Sequence, residues 1–290
     1  KYIWNMIFFR LIKEGFLLAV NSILVNKLRT FLSLFGITIG IFAIISVFTV
    51  LDWMENSIKD SIASMGDDVI YVQKFPWSFD PNLAWWDIIE WPAVSLDDYE
   101  AILRNSTKSE AASFTVIFNR NLKHRDNAVN NALIWGVTED FENIRSFEIA
   151  RGRYFSPGEL LSGRRVTVIG AVTAETFFED SDPLGKDITI AGYKTRVIGV
   201  FKAEGQGGIS DSGMDEMTVI PVNYAKRIVN LRNRFINSNI MLKSREGVAV
   251  QELGDEATMI LRAARRIKPD ESNDFSINRA SLLTQGFESV

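Results

Sequence analysis

The chain has no cysteine and a single histidine among its 290 residues. It can therefore form no disulfide, thiolate nucleophile or cysteine-based zinc site, and its stability must come from packing. His124 lies in the polar segment NLKHRDN without a second imidazole nearby in sequence. A lone histidine in such a segment argues against a metal site or a histidine-dependent triad, and we expect a solvated loop residue there.

A phosphate-binding loop is also missing. The pattern GxxxxGK[ST] does not occur, because Gly185 and Lys186 lack the preceding glycine and the following hydroxyl residue. Any ATP hydrolysis must therefore belong to another chain. The acidic pair Asp97 and Asp98 follows Ser95 and predicts the cap of a short helix rather than a catalytic site. We expect no catalytic residue, cofactor or metal site in this chain.

The long charge-free run at 31–51 is the strongest positive signal. Its 21 residues include fourteen large apolar side chains, and as a helix they span roughly 31 Å, which is the thickness of a bilayer core. Residues 1–30 carry five Lys or Arg and one Glu, a net charge of +4, which leaves −8 for the rest of a chain whose total is −4. The positive-inside rule predicts a transmembrane helix at 28–51 with a cytoplasmic N-terminus. A basic N-terminal segment and an acidic rest of the chain indicate that the two parts lie on opposite sides of a membrane, and they argue against a nucleic-acid partner.

Residues 1–27 are apolar-rich but contain Arg10, Lys13 and Glu14 near their centre. A spanning helix would bury each charge at about 2.5 to 3.5 kcal/mol, so a second crossing is disfavoured. An apolar face opposite the two basic residues predicts an amphipathic helix that lies in the cytoplasmic membrane interface. An ordinary amphipathic helix packed on a partner is the alternative.

After the membrane, apolar residues recur every three or four positions among charged ones, which predicts that the helix continues outward as a stalk over 52–65. Gly66 is expected to end it, and the β-branched run at 68–75 is expected to form the first strand of an outer domain. Further on, strand and short-helix patterns alternate, and 248–268 has helical apolar spacing, so the fold class is mixed α+β. The stalk contacts are predicted at Leu51, Met54, Ile58, Ile62 and Met65.

Two local patterns suggest contacts with other molecules. Gly36 and Gly40 lie four residues apart on one helix face, which lets another helix approach closely, either a second copy or another helix of the same subunit. A tryptophan-rich loop favours docking to the bilayer surface or to a partner, because indole combines an apolar body with one donor. A loop folded onto its own core is the equal alternative. The four tryptophans are Trp77, Trp85, Trp86 and Trp91.

Two stretches together resemble the MacB/FtsX superfamily of ABC-transporter permeases. NKLRTFLSLFGITIGIFAIISV at 26–47 resembles the first membrane helix of that family. FEIARGRYFSPGE, RRVTVIG, DPLGKDITIAG and KTRVIGVF, at 147–201, are similar in order and separation to the MacB-like periplasmic core domain. The resemblance implies a permease subunit in the bacterial inner membrane with most of the chain in the periplasm.

The resemblance also implies an outer domain of two subdomains, a porter type at 66–111 and 216–280 with a sabre type at 112–215 inserted. It implies an ATPase dimer that holds ATP and Mg, a second permease protomer, either identical or a paralogue, and a periplasmic adaptor with an outer-membrane channel. The family has four membrane helices, so we expect a partial chain in which 281–290 approach a missing second one. The function is then efflux, or mechanotransmission as in FtsX-like systems. A single-pass sensor that signals through its stalk is the alternative.

Overall fold

The computed structural model describes residues 10–11, 13–18, 21, 25–63, 68–77, 84–179, 181–203 and 214–280, with the backbone alone for 55–63. The chain divides into two compact units, residues 1–56 and residues 57–290. The helices are α1 (Lys27–Ala63), α2 (Trp85–Glu90), α3 (Leu96–Asn105), α4 (Phe141–Ile144), α5 (Pro157–Ser162), α6 (Ala171–Phe178), α7 (Val222–Ala225) and α8 (Val250–Arg265). The strands are β1 (Val69–Gln73), β2 (Ser109–His124), β3 (Asn127–Val137), β4 (Ile149–Gly152), β5 (Val166–Ile169), β6 (Asp187–Ile190), β7 (Tyr193–Phe201), β8 (Thr218–Pro221), β9 (Asn237–Ser244) and β10 (Ser276–Arg279).

The first unit is helical. Its described residues between 10 and 25 are mostly helical, and Arg10 pairs with Glu14 one turn later. Helix α1 follows over 37 residues, roughly 55 Å at about 1.5 Å per residue. It is longer than a bilayer core is thick, so it continues well past 51, as predicted. The interfacial position of 1–27 stays a prediction.

The second unit is built on one ten-stranded sheet with the order β10-β1-β9-β2-β3-β8-β5-β7-β4, while β6 pairs with β2 and β7. Most pairs are antiparallel, but β3–β8 and β5–β7 are parallel. The predicted mixture of strands and helices is confirmed. The division into porter-type and sabre-type parts stays a prediction; its first boundary, between residues 111 and 112, falls inside the long strand β2.

The sheet is covered on both faces because strand side chains alternate with period two. Ile70 and Val72 of β1 belong to one hydrophobic cluster, whereas Val69 and Tyr71 belong to the other. The first cluster also contains the buried apolar side chains of α3 and α8, and the second contains those of α4 and α5. A five-residue strand with four buried side chains is therefore a central strand of a two-sided core.

Two glycines bring β4 against β7. Gly152 has a positive φ of 79°, and a Cβ there would lie 2.3 Å from the Ile198 carbonyl oxygen. A Cβ on Gly199 would lie 2.4 Å from the Arg153 carbonyl oxygen. Larger residues cannot enter without separating the two backbones. This close approach gives a physical reason for the glycines in GRYF and VIGV, two of the sequence blocks behind the resemblance.

Several local predictions can be compared directly. The strand expected at 68–75 is β1, the helix expected within 248–268 is α8, and Ser95 with Asp98 forms a complete capping box at the start of α3. The predicted loop position of His124 was wrong, and the residue is half-buried rather than fully solvated. It ends β2, where its Nδ1 lies 2.9 Å from the Asp187 carbonyl oxygen and its ring packs 4.4 Å from that of Phe178. Gly66, the glycine-rich 205–213 and 281–290 lie outside the described residues.

Candidate coupling and docking site

Helix α1 is the one helix among the described residues that is long and apolar enough to cross a membrane, over Lys27–Met54. No residue of its most apolar stretch is buried by other parts of the chain. Its threonines are satisfied internally, because the hydroxyls of Thr38 and Thr49 each donate to the carbonyl four residues earlier at 2.8 Å. A hydroxyl bonded in this way costs less in a hydrocarbon environment. The helix therefore suits a lipid environment.

The face that carries Gly36 and Gly40 is open. A Cβ added to either glycine would meet no other atom within 4 Å. Residues four apart share a helix face, so the pair forms a shallow groove on the surface of α1. Close packing of another helix there stays a prediction.

The predicted stalk is only partly visible. Helix α1 runs without a break to Ala63, so the helix does continue past residue 51. Leu51 and Met54 are about half exposed. Ile58 and Ile62 lie in the part described by backbone alone, and Met65 lies outside the described residues. The stalk contacts therefore stay a prediction.

Strand β1 receives the chain that comes from α1 and is hydrogen-bonded on both sides. Ile70 is paired with Leu242 of β9 on one side and with Arg279 of β10 on the other. The hydrogen bonds between β1 and β9 begin one residue before β1, where the Ser244 amide donates to the Asp68 carbonyl at 2.8 Å. A displacement of the first residues of β1 is thus passed directly to two neighbouring strands. Since β10 is antiparallel to β1, the chain also leaves the sheet beside the point where it enters.

The opposite end of β1 is fixed by a buried lysine that no local sequence pattern indicated. Lys74 is 6% exposed, and its ammonium group donates to the carbonyls of Ile89 at 2.7 Å and Arg234 at 3.2 Å. The rings of Phe75 and Phe235 each lie 5.7 Å from its Nζ. Burial, together with the Arg234 guanidinium, lowers the pKa of Lys74 below its usual value. Lys74 thereby ties helix α2 and the segment before β9 to the end of β1.

The structure separates the four tryptophans into two pairs. Trp77 folds back on Tyr71 with ring centroids 5.0 Å apart, and its amide donates to the Asn278 side chain. Trp91 is half-buried. By contrast, Trp85 and Trp86 are 65% and 61% exposed on α2. The docking prediction is therefore restricted to one pair, and for the other pair the folded-loop alternative describes the geometry better.

A groove of about 590 Å³ lies at this end of β1. Its wall includes Lys74, Trp77 and Ile89, and it is also lined by Phe75 and Phe235, whose side chains are exposed. Helix α2, which contributes Ile89 to the groove, also carries the exposed Trp85 and Trp86. We use the name aromatic end for Phe75, Trp85, Trp86 and Phe235.

The helices that cover β1 are held by a buried ion pair. The Arg265 guanidinium of α8 donates to both carboxylate oxygens of Asp98 on α3, at 3.0 and 2.7 Å, and to Asp274 before β10 at 2.7 Å. The side chains of Arg265 and Asp98 are 9% and 7% exposed. Burial alone would raise the pKa of Asp98, but the Arg265 guanidinium and the hydrogen bonds from Ser95 together lower it.

The spacing of apolar residues along α8 indicates that Arg265, which pairs with Asp98, lies on the buried face. Leu253, Ala257 and Leu261 are buried at four-residue spacing, and Arg265 is the next residue in that series. Ala264 also fits the helical apolar spacing of 248–268, but it is exposed. A charged residue that continues a buried series predicts a buried partner.

A second contact joins the same two helices. Glu256 accepts hydrogen bonds from the Ser106 hydroxyl at 2.6 Å and from the amides of Thr107 and Lys108 at 3.0 and 3.1 Å. Burial alone would raise the pKa of Glu256, but these hydrogen bonds lower it to about 2. The helix layer over β1, β9 and β2 is thus anchored at both ends of α3.

A long apolar helix that leads into a mixed sheet domain is typical of a membrane-anchored protein with a folded domain beside the bilayer. Comparison with known proteins identifies the group. A family model for the MacB-like periplasmic core domain matches residues 30–260. The chain belongs to this family of ABC-type permeases.

The relatives are distant but cover almost all of the chain. A macrolide export ATP-binding/permease protein MacB of Neisseria meningitidis is 25% identical over 279 residues, which are 96% of this chain and 40% of that protein. An uncharacterized ABC transporter permease YknZ of Bacillus subtilis is 25% identical over 86% of this chain and 60% of its own length. The chain thus spans about half the length of these relatives.

Two solved structures share the fold. The periplasmic region of MacB from Actinobacillus actinomycetemcomitans has a TM-score of 0.63 at 16% identity and covers 79% of this chain and 96% of that one. The extracellular domain of the transporter YknZ from Gram-positive bacteria has a TM-score of 0.55 at 17% identity and covers 72% and 98%.

Proposed function

We propose that the chain is the permease subunit of an ABC transporter of the MacB/FtsX type. In this proposal a separate ATPase dimer binds ATP with Mg and hydrolyses it, and the permease converts its motion into work on the periplasmic domain. The work is efflux of a cargo or mechanotransmission to a periplasmic partner. The chain itself is noncatalytic. The family membership and the relatives named as ABC-type permeases support this proposed function.

The observation that carries the proposal is the connection between α1 and the sheet. Helix α1 is continuous to Ala63, and β1 starts at Val69 with neighbours on both sides. A helix transmits displacement along its axis because each turn is hydrogen-bonded to the next. A strand bonded on both sides cannot shift without moving the strands next to it. A displacement delivered to β1 would therefore spread to β9 and β10.

The orientation follows from charge. We propose that Lys27 and Arg29 stay on the cytoplasmic side of the inner membrane and that the sheet domain lies in the periplasm. Two copies, or one copy and a paralogue, would pair, with the Gly36 and Gly40 face available for close helix contact. Residues 1–27 would lie in the cytoplasmic interface.

The aromatic end is proposed as the docking surface for a periplasmic adaptor, which in turn meets an outer-membrane channel. Along the chain it lies at the end of β1 opposite to the one that receives α1. Trp85 and Trp86 offer large apolar areas with one donor each, a combination enriched in the centres of protein interfaces.

Copurification tests the function. The full-length gene product is extracted from native membranes in a mild detergent, and its partners are identified by mass spectrometry and assayed for ATPase activity. We expect a stoichiometric ATPase with a phosphate-binding loop, whose rate changes when the permease is present. A subunit that purifies alone and responds to a periplasmic ligand would instead support the sensor alternative.

A matched pair of variants tests the docking surface in the same experiment. Replacing Trp85 and Trp86 with Ala is expected to remove a periplasmic partner while the ATPase remains. Leu161 and Met259 are exposed to a similar degree elsewhere, and their replacement with Ala is expected to leave both partners in place. Equal loss in both variants would refute the assignment of the aromatic end.

A further inference from the structure

A second groove, of about 630 Å³, is lined by an excess of positive charge. It lies on the side of the sheet formed by the end of β4, by β7 and by the start of β5, and it does not include any residue of the aromatic end. We call it the basic groove. Its charged lining consists of Arg153, Arg164, Arg165, Lys194 and Arg196, with Glu159 and Asp187.

Strand pairing places these cations together. Lys194 and Arg196 alternate with buried residues on β7, so both point to the exposed face of the sheet. The Arg196 amide donates to the Arg165 carbonyl at 3.0 Å, which sets the two arginines on adjacent backbones. On the other side of β7, the Arg153 amide donates to the Ile198 carbonyl at 3.0 Å. Three chain segments, distant in sequence, thus contribute to one groove.

The two carboxylates of the groove are already engaged. Glu159 accepts two hydrogen bonds from the Arg153 guanidinium, at 2.7 and 2.9 Å, and this pairing lowers its pKa to about 2. Asp187 lies 3.5 Å from Arg196. Each of the two carboxylates is thus matched by one arginine.

Three cations remain without an anionic partner. Within the part of the chain that the structure describes, no carboxylate lies within 4 Å of Arg164, Arg165 or Lys194. All three are exposed. Five cations and two carboxylates give the groove a net charge of +3, whereas residues 31–290 together carry −8. Like charges in one concave site repel one another, and a bound anion relieves that repulsion.

The residue types indicate which anion fits. Four of the five cations are arginines, whose planar guanidinium donates two parallel hydrogen bonds to phosphate oxygens. The donors stand on strands and strand ends that the sheet holds in place, so little ordering is needed on binding. The volume is in the range of small-ligand sites, about 300 to 1,000 Å³. We propose that the basic groove binds a ligand that bears two or more phosphate groups, either a phosphorylated lipid headgroup or a soluble polyphosphate.

The test uses the full chain in nanodiscs of phosphatidylcholine, titrated calorimetrically with tripolyphosphate. A groove variant replaces the three unpaired cations: Arg164→Gln, Arg165→Gln and Lys194→Gln. A control variant makes the same change in net charge on the β2–β3 hairpin: Arg120→Gln, Lys123→Gln and Arg125→Gln. All six positions are exposed, and thermal unfolding checks that both variants stay folded.

We expect the groove variant to bind tripolyphosphate at least tenfold more weakly than the unaltered chain, and the control variant to bind within twofold of it. Equal weakening in both variants would overturn the proposal, because binding would then follow net charge alone. Displacement of tripolyphosphate by an oligoglutamate peptide at lower concentration would also overturn it, because the groove would then select an acidic polypeptide.

A second arm distinguishes the two sources of phosphate. The nanodisc-embedded chain is mixed with vesicles of phosphatidylcholine alone or of phosphatidylcholine with cardiolipin, a lipid whose headgroup bears two phosphate groups, and vesicle-bound protein is measured by flotation. Groove-dependent binding to the cardiolipin vesicles assigns a lipid headgroup. Tripolyphosphate binding without vesicle binding assigns a soluble ligand. If the unaltered chain binds neither tripolyphosphate nor the vesicles, the proposal is overturned. The result does not depend on whether the chain transports anything.

Discussion

Replacing Arg265 with Met should destabilise the periplasmic domain strongly. The guanidinium joins α3, α8 and the segment before β10, and the variant leaves Asp98 buried without its cation. Removing one partner of a buried ion pair costs about 3 to 5 kcal/mol, because the remaining charge stays desolvated. A domain of ordinary stability, about 5 to 15 kcal/mol, would lose a large part of its free energy of unfolding.

The assay is urea unfolding of the full chain in detergent, followed by tryptophan fluorescence. Arg104→Met is the matched control, because Arg104 forms an exposed pair with Glu100 on α3 and such pairs contribute about 0.3 to 0.5 kcal/mol. A loss below about 1 kcal/mol for Arg265→Met would refute the reasoning. It would mean that Asp98 regains water or a new partner in the variant.

Two further predictions concern stability. Gly199→Ala should destabilise the domain, because its Cβ would lie 2.4 Å from a backbone oxygen, whereas Gly158→Ala, with open space around it, should be nearly neutral; thermal unfolding compares them. The pKa values of Glu159 and Glu256 are lowered to about 2 from a usual 4.5. Their contribution to stability is therefore complete above about pH 4.5 and is lost as the pH falls towards 2. Unfolding curves between pH 7 and 2 should show this loss, and Glu256→Gln should weaken it; an unchanged acid profile would contradict the assignment.

The features predicted from sequence are those with local causes. The charge-free run at 31–51 predicts a helix because a bilayer core sets its length, and α1 matches it. Ser95 and Asp98 predict a helix start because both hydrogen bonds of a capping box are made within four residues. The β-branched run after the stalk predicts β1 for a similarly local reason.

The features that were missed depend on contacts between distant segments. The partners of Lys74 lie up to 160 residues away, and a lysine just after an apolar strand gives no local sign that it is buried. His124 was expected in a solvated loop because its neighbours are polar, but it ends β2 and is half-buried against the ring of Phe178. The basic groove combines segments whose charges look ordinary one at a time. In each case the strand order, rather than the local pattern, decides which side chains meet.

The most direct test of the account concerns the connection between α1 and β1. Residues 1–290 contain no cysteine, so a spin label can be attached through Lys226→Cys, an exposed position, once any cysteines elsewhere in the complex are replaced. The distance between the two proposed protomers of the purified complex is then measured with and without ATP. We expect an ATP-dependent change in that distance. A flexible Gly-Ser insertion within residues 64–67 should abolish the change while ATPase activity remains, whereas the same insertion between Arg125 and Asp126 should preserve it. An unchanged response after the first insertion would contradict the proposed coupling through β1.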